Sequence, residues 1–587
     1  LKVFRQLMWF FRQEKNSYIL GILLLCMVAV LQLVPPKIIG IIVDLIENRE
    51  LTIKTLFKWM GYLALAGLVM YGLRYYWRIM IFGSAVKLSR QLRNQLYDHF
   101  TNMSQAFYKR KRIGDLMAHA TNDLQAIQQT AGAGVLTLVD SLATGGFVIV
   151  AMSLINWKLT LICLLPMPIM AYLTSYYGTL LHNRFHKAQE AFSDLNDKTQ
   201  ESINGIKVIK TFGQEKEDID AFRKQSFEVV RKNIAVARVD ALFDPTISVI
   251  VGLSYFLTVA VGARFVLSGE MSIGDLVSFS SYLGLLIWPM LAFGWLFNIV
   301  ERGRASYDRV QNLLNEKADI ADKENAIQSA PAGDLVFRIS AFRFPDDAHP
   351  VLKNITFNLK RGETLGVAGK TGSGKTSLLK LLTREFDQYE GTIQFGGNEI
   401  KEFSIQHFRN SIGYVPQDHF LFSATVADNI AFARPEAGYS EIMDAAQSAH
   451  IHNDILQFSE GYETVVGERG VSLSGGQKQR ISIARALIKN PELLILDDSL
   501  SAVDARTEEM ILQNLKENRN GKTTIITAHR LSAIQHANLI IVLNEGTIVQ
   551  SGTHQQLMSV HGWYKDMFIR QQLEELVEHG GGHGRKN

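Results

Sequence analysis

ETLGVAGKTGSGKTSLLKLL, Glu363 to Leu382, decides the fold of the second half of this chain. The apolar run TLGVAG reads as a buried strand, a glycine-rich turn follows it, and TSLLKLL reads as a helix. The turn matches G-x-x-x-x-G-K-[ST]. Gly369, Gly372 and Gly374 let the backbone curl so that consecutive N–H groups face phosphate oxygens, with Lys370, Thr371 and Ser373 in the same loop and Ser377 just behind it. Lys375 reaches the β and γ phosphates, Thr376 offers its hydroxyl to Mg²⁺, and the start of the helix favours an anion. Downstream, LLILDD (Leu493 to Asp498) is an apolar run ending in two carboxylates, the pattern of a parallel strand buried on both faces. Asp497 is expected to hold Mg²⁺ through water, because that ion keeps several of its own waters and takes few carboxylates.

Five further motifs stand in the same half. They are FRFP with Phe344, YVPQ with Gln417, LSGGQKQR from Leu473 to Arg480, SAVD from Ser501 to Asp504, and ITAHR with His529. Together with the phosphate loop they resemble the ATP-binding cassette exporter superfamily, in its half-transporter form. The resemblance covers essentially the whole chain. It implies a multidomain membrane protein: an all-α transmembrane domain of six helices with long cytoplasmic extensions, fused to an α/β P-loop ATPase domain with an antiparallel β subdomain and a helical subdomain. Within that family Leu473, Ser474, Gly475, Gly476 and Gln477 form the signature that closes over ATP held by the opposite cassette. Gln417 is the Q-loop residue and a Mg²⁺ contact, Ser501, Ala502, Val503 and Asp504 form the D-loop, and His529 is the switch histidine. Phe344 stands where the family usually stacks adenine on a tyrosine; its ring keeps the aromatic face without the hydroxyl.

Asp498 departs from the family pattern, which usually has glutamate after the acidic Walker B residue. A general base must lie within about 2.6 to 3.2 Å of the water it activates, and aspartate is one methylene shorter. The departure implies weak hydrolysis at this chain's own site and a heterodimer in which a different half-transporter carries the catalytic glutamate. This chain would supply its intact LSGGQ to that partner's centre. A homodimer with two slow sites is the plainer alternative. The resemblance implies ATP and Mg²⁺ as cofactors and export of hydrophobic or amphipathic compounds, as in multidrug efflux. A lipid or lipid-linked flippase is the rival cargo reading, and an ATP-gated channel or sensor module is the rival of another class.

The first half carries repeated apolar runs near the roughly 20 residues that a spanning helix needs. Six spans are readable, at about 17–45, 56–83, 132–154, 158–181, 243–267 and 275–299. The domains follow as 1–316 for the membrane part, 317–335 for a linker, 336–576 for the cassette and 577–587 for a flexible tail with His579 and His583. Lysines and arginines crowd the loops between spans two and three and between spans four and five. The positive-inside tendency therefore puts both loops, both termini and the cassette in the cytoplasm, and the family resemblance implies a bacterial plasma membrane. KVFRQLMWFFRQEK, ahead of the first span, reads as a helix lying in the membrane interface through Val3, Phe4, Leu7, Met8 and Phe11. A formal charge of +4 gives no reason to propose nucleic acid. Cys26 and Cys163, both inside spans and without metal or redox spacing, read as small apolar fillers.

FYKRKRIGDLMAHATND (Phe107 to Asp123) and ESINGIKVIKTFGQE (Glu201 to Glu215) resemble the family's two intracellular coupling loops. Gly114 with Asp115 and Gly205 with Ile206 are the expected bends. Tyr71, Tyr75, Trp288, Phe293 and Trp295 give spans two and six an aromatic density that suits a cargo cavity, and Arg74 places a charge inside span two.

Overall fold

The computed structural model describes residues 2–345, 347–467 and 473–580, except for the side chains of Phe293 and of residues 575–580. The predicted tail therefore lies largely outside the described residues, His583 wholly and the His579 side chain with it. The chain forms two compact units, residues 1–101 with 113–316, and residues 102–112 with 317–587.

In chain order the first half forms α1 (Lys2–Gln6), α2 (Met8–Gln13), α3 (Lys15–Leu31), α4 (Val34–Glu47), α5 (Ile53–Asn102), α6 (Gln105–Arg110), α7 (Ile113–Ala118), α8 (Leu124–Gln129), α9 (Val135–Leu164), α10 (Met167–Asn204), α11 (Ile206–Phe212), α12 (Glu215–Asp240), α13 (Phe243–Leu267) and α14 (Ile273–Leu314). Among the described residues, five helical stretches are each long and apolar enough to cross a membrane: Lys15–Glu47, Ile53–Asn102, Ile113–Leu164, Glu215–Leu267 and Ile273–Leu314. The fourth expected span, 158–181, is not one uninterrupted helix. Asn156 leaves helical geometry (φ −156°, ψ 106°), and its Oδ1 accepts from Leu159 N at 3.0 Å as an N-cap, so a new helix starts there inside α9. That helix runs to Leu164, breaks before Pro166, and resumes as α10.

The N-terminal segment also differs from its expectation. It is two short helices whose Val3, Leu7 and Phe10 are fully buried while Met8 stays exposed. Gln6 donates to Asp308 at 2.7 Å and Trp9 to the Tyr307 hydroxyl at 3.1 Å, so α1 and α2 are docked on α14. Deeper in the same unit Asp123 accepts from Arg309, from Ser306 Oγ at 2.8 Å and shares a 2.7 Å contact with His119 Nδ1, tying the segment after α7 to α14.

The second unit contains α6 and the cassette. An antiparallel sheet in the order β2-β1-β4-β5 uses β1 (Leu335–Phe342), β2 (Leu352–Leu359), β4 (Glu390–Phe395) and β5 (Asn398–Glu399). A six-stranded sheet in the order β10-β9-β3-β8-β7-β6 uses β3 (Thr364–Gly369), β6 (Ile412–Val415), β7 (Leu493–Asp497), β8 (Thr523–Thr527), β9 (Leu539–Asn544) and β10 (Thr547–Gly552). Its β9-β3-β8-β7-β6 part is parallel and β10 is an antiparallel edge. The helices are α15 (Lys375–Leu382), α16 (Ile405–Asn410), α17 (Val426–Ala431), α18 (Tyr439–Ser448), α19 (His452–Ile455), α20 (Gly475–Leu487), α21 (Ala505–Asn518), α22 (His554–Ser559) and α23 (Trp563–Gly580). Both faces of β7 and β8 are buried, as their unbroken apolar or threonine runs require. The stretch read as a linker is hydrogen-bonded to the cassette: Ile327 N donates to Glu402 O at 2.8 Å, Ser404 N to Ile327 O at 3.0 Å, and Ile405 N to Asp322 Oδ1 at 2.7 Å.

Candidate functional site

β3 ends at Gly369 and α15 begins at Lys375, so the glycine-rich turn sits at the C-terminal edge of the parallel sheet. Gly369 (φ +147°) and Gly374 (φ +103°) occupy backbone regions hostile to side chains. A Cβ on Gly369 would stand 2.3 Å from Leu543 O, and one on Gly374 would stand 2.8 Å from Leu352 Cδ2, so the loop has no room for anything but glycine there. Lys370 and Thr371 are exposed, Thr376 and Ser377 are half-buried at the start of α15.

Lys375 is buried, and its Nζ rests on two loop carbonyls, Gly369 O at 2.7 Å and Lys370 O at 3.1 Å. Burial pushes its basicity down while the Asp498 and Asp497 carboxylates pull it back up. Ser373 Oγ is buried with no hydrogen-bond partner among the described residues. An ammonium satisfied only by carbonyls, beside an unsatisfied hydroxyl, at the start of a helix and over a glycine cradle, fits a polyphosphate.

Asp497 closes β7, its Oδ1 accepting from Thr527 Oγ1 at 2.7 Å and its Oδ2 from the Tyr414 hydroxyl at 3.4 Å. Burial, then the Asp497 charge, drives the Tyr414 phenol far above its usual range, so it stays a donor. Val415, the last residue of β6, pairs with Leu496, the residue before Asp497, and exposed Gln417 follows two residues past that strand end. Among the described residues no three His, Cys, Asp or Glu side chains converge to cage a metal. Thr376, Asp497 and Gln417 fit an ion that completes its shell with phosphate oxygens and water, the habit of Mg²⁺.

Asp498 lies in the left-handed region (φ +49°), where aspartate is tolerated better than most residues. Its N–H donates to Thr527 O at 3.1 Å and Thr527 Oγ1 at 3.0 Å. The carboxylate turns toward the next strand end: Oδ1 accepts from His529 N at 3.3 Å, and Oδ2 lies 3.9 Å from His529 Nε2. His529 is exposed, and its backbone is held by a residue the sequence reading missed. Gln571 on α23 donates Nε2 to His529 O at 2.7 Å and accepts from Leu531 N at 2.9 Å.

Ser474 caps α20 in a reciprocal box, Gln477 N reaching Ser474 Oγ at 3.3 Å and Ser474 N reaching Gln477 Oε1 at 3.1 Å. Leu473 packs on the core, whereas Ser474 and Gly475 are exposed, so the positive end of a 13-residue helix faces outward. Asp454 fixes this helix through Arg480, with two contacts of 2.9 Å. The D-loop joins it to the hydrolytic end. Ser501 Oγ donates to Asp498 O at 2.9 Å, Ala502 N to Gln479 Oε1 at 3.1 Å, Val503 is buried, and Asp504 caps α21 through Thr507 N at 3.0 Å. Phe344 follows β1, whose Phe342 pairs with the same Leu352 that abuts Gly374, so its half-buried ring is within reach of the phosphate loop.

The coupling and cavity residues fare differently. Gly114 and Asp115 are not a bend: they lie in the first turn of α7, and nothing among the described residues stands within 4 Å of a Cβ on Gly114. The chain turns instead at Ser104 and Lys111, both extended, which bracket α6. Gly205 does end α10, and Ile206 starts the short α11, which buries no side chain. Tyr71 and Tyr75 on α5 and Trp288 and Trp295 on α14 are strongly exposed; the Phe293 side chain lies outside the described residues. On α9, Asp140, an intramembrane carboxylate that the sequence reading passed over, accepts from Thr144 Oγ1 at 3.3 Å.

The family of the ABC transporter transmembrane region matches residues 18–290, and the family described as ABC transporter matches residues 352–501. The chain is similar to the multidrug resistance-like ATP-binding protein MdlA of Escherichia coli (strain K12), 47% identical over 579 residues, 98% of either chain. It is similar also to the probable multidrug resistance ABC transporter ATP-binding/permease protein YheI of Bacillus subtilis (strain 168), 45% identical over 581 residues and 99% of each. Among solved structures, a bacterial Atm1-family ABC exporter with ATP bound superposes with a TM-score of 0.79 at 25% identity, covering 95% of this chain and 99% of that one.

Proposed function

Because the chain belongs to the ABC transporter family, with membrane region and ATPase cassette in one polypeptide that couples ATP hydrolysis to transport, we propose that it is one half of a bacterial plasma-membrane exporter of hydrophobic or amphipathic compounds. Its partner in this reading is a different half-transporter that carries a glutamate where this chain has Asp498. The observation that carries the ATP-driven part is Lys375, buried and resting on its own loop carbonyls at 2.7 and 3.1 Å until a more favourable acceptor arrives. ATP draws that ammonium onto its β and γ phosphates, and Phe344 stacks on the adenine. Mg²⁺, when bound, neutralises charge developing on the phosphates. Asp497 orients it, and His529 donates toward the γ phosphate. Asp498, its carboxylate spent on the His529 segment, activates water poorly. The exposed start of α20, with Ser474 and Gly475, serves the ATP held by the partner.

The cargo reading draws support from the multidrug names of the two relatives and from the exposed aromatic side chains of α5 and α14. Uptake of a fluorescent amphipathic dye into inverted vesicles tests it: transport that requires ATP, stops with vanadate and disappears in Lys375→Ala is expected. Dye movement without ATP consumption would instead support a gated channel, and headgroup-specific lipid movement without dye transport a flippase.

A further inference from the structure

α6 is the one segment of the first half that belongs to the cassette unit, and it is anchored there at several points. Ser104 caps the helix and donates to Asp319 Oδ2 at 2.6 Å, Arg110 meets the same carboxylate at 3.3 Å, and Ala106 is buried in the core beneath the antiparallel sheet. Those anchors fix where Lys109 points. Its Nζ stands 4.4 Å from the centroid of the Phe344 ring and 6.0 Å from that of Phe386, while Phe344 meets Phe342 and Phe386 at steep angles, 5.1 and 5.3 Å between centroids. Burial and the nearby Lys380 hold this ammonium below its ordinary basicity, opposed by Glu385 and Asp347.

We propose that Lys109 is a positioning residue for the nucleotide base: its ammonium holds one face of Phe344 and, by drawing electron density through the ring, strengthens stacking of adenine on the other. The proposal rests on the reading that this site takes ATP. A cation against an aromatic face is attracted by the ring quadrupole, and the ring so polarised presents a more electron-poor opposite face to an electron-rich purine. Lys109 is then the point at which the loop between α5 and α7 touches the base site through a single ring. A lysine serving only as part of the helix surface would affect phosphate and base binding alike; one acting through Phe344 affects the base alone.

The test compares two probes on the purified full-length protein in lipid nanodiscs, by titration calorimetry with Mg²⁺: ATP, and inorganic tripolyphosphate, which has the phosphates without the base. Lys109→Met is expected to weaken ATP about threefold, the size of one exposed cation–π contact, and to leave tripolyphosphate unchanged. Lys109→Arg should keep the ATP preference, and Lys109→Met should add nothing on top of Phe344→Leu. Equal loss for both probes would overturn the proposal, because Lys109 would then be bulk charge or packing. Tighter ATP binding in Lys109→Met would also overturn it, because the ammonium would be competing with adenine for the ring. Failure of the unaltered chain to bind either probe would overturn the nucleotide reading itself, and the proposal with it.

Discussion

Asp498→Glu is the substitution that tests the unequal-site reading most directly. The Asp498 carboxylate sits 3.3 Å from His529 N and 3.9 Å from His529 Nε2, close against the backbone of the neighbouring strand end. Glutamate adds one C–C bond, about 1.5 Å of reach. A displacement of order 1 Å in a reacting group is worth roughly a hundredfold in rate, or about 2.7 kcal/mol of barrier. The longer side chain should therefore raise hydrolysis at this site by up to about a hundredfold. There is an opposing cost. Residue 498 has φ +49°, a region that aspartate tolerates better than glutamate, so the variant should lose about 1 kcal/mol of cassette stability. The assay is steady-state ATPase activity of the purified chain, alone and with whatever second half-transporter copurifies. The same measurement on the Lys375→Ala, Asp498→Glu double variant assigns the gain to this chain's own phosphate loop. The reasoning is refuted if the unaltered chain alone turns over ATP briskly and cooperatively and Asp498→Glu changes the rate less than twofold.

Three further outcomes follow from other contacts. Gln571→Leu removes both hydrogen bonds that hold the His529 segment, each worth about 1 kcal/mol; the residual hydrolysis at this chain's own site, read on the purified chain alone, should fall about tenfold with the ATP dissociation constant unchanged, and Gln571→Glu, which can still accept from Leu531 N, should fall between. Glu385 is held above the usual carboxylate range, chiefly by burial, and its Oε2 has no hydrogen-bond partner among the described residues. Its folded-state proton affinity exceeds the unfolded one, so its contribution is fully present below the unfolded pKa and is lost as pH rises through the raised value. Glu385→Gln should therefore raise the cassette's melting temperature by a few degrees near pH 8 and by little or nothing near pH 4.5. Asp123→Ala strips Arg309, Ser306 and His119 of their shared acceptor; because Arg309 stays half-exposed, the loss should sit at the low end for a broken buried pair, about 3 kcal/mol, read as a fall in the membrane unit's melting temperature.

The phosphate loop was legible because its chemistry is local. Gly369 and Gly374 are glycines where the backbone allows nothing else, and the strand before them and the helix after them announce themselves by period. The Ser474 to Gln477 box was legible for the same reason, a cap written within four residues. What was not legible depends on residues distant in sequence. Gln571 is one glutamine on a C-terminal helix, and only the fold brings it to His529, 42 positions away. Gly114 looked like a hinge because glycine permits bending, yet permission is not a cause: the turns fall at Ser104 and Lys111, where the short α6 begins and ends. The fourth span looked continuous because hydropathy ignores Asn156 and Pro166, one capping a new helix and the other breaking it. Asp140 was hidden by its apolar neighbours in the run around it.

The D-loop shows why a chain with a short residue at 498 would still keep the rest of its motifs. Ser501 Oγ donates to Asp498 O at 2.9 Å, and one residue further on Ala502 N donates to Gln479 Oε1 of the signature helix at 3.1 Å. A Cβ on Gly476 would stand 2.9 Å from Ala502 O, so the signature and the D-loop are packed without slack. Any movement of Asp498 when nucleotide arrives is therefore passed to the start of α20 through two hydrogen bonds and one close contact. In the proposed pairing, α20 serves the partner's ATP. In that proposed pairing, aspartate in place of glutamate at 498 would cost this chain its own water activation but leave intact the connection by which occupancy of its site would be felt where the partner hydrolyses. A site that binds and seldom turns over is then a means of holding α20 in place, and Ser501→Ala, which cuts that connection at its first bond, should lower hydrolysis at the partner's site while leaving ATP binding at Lys375 unchanged.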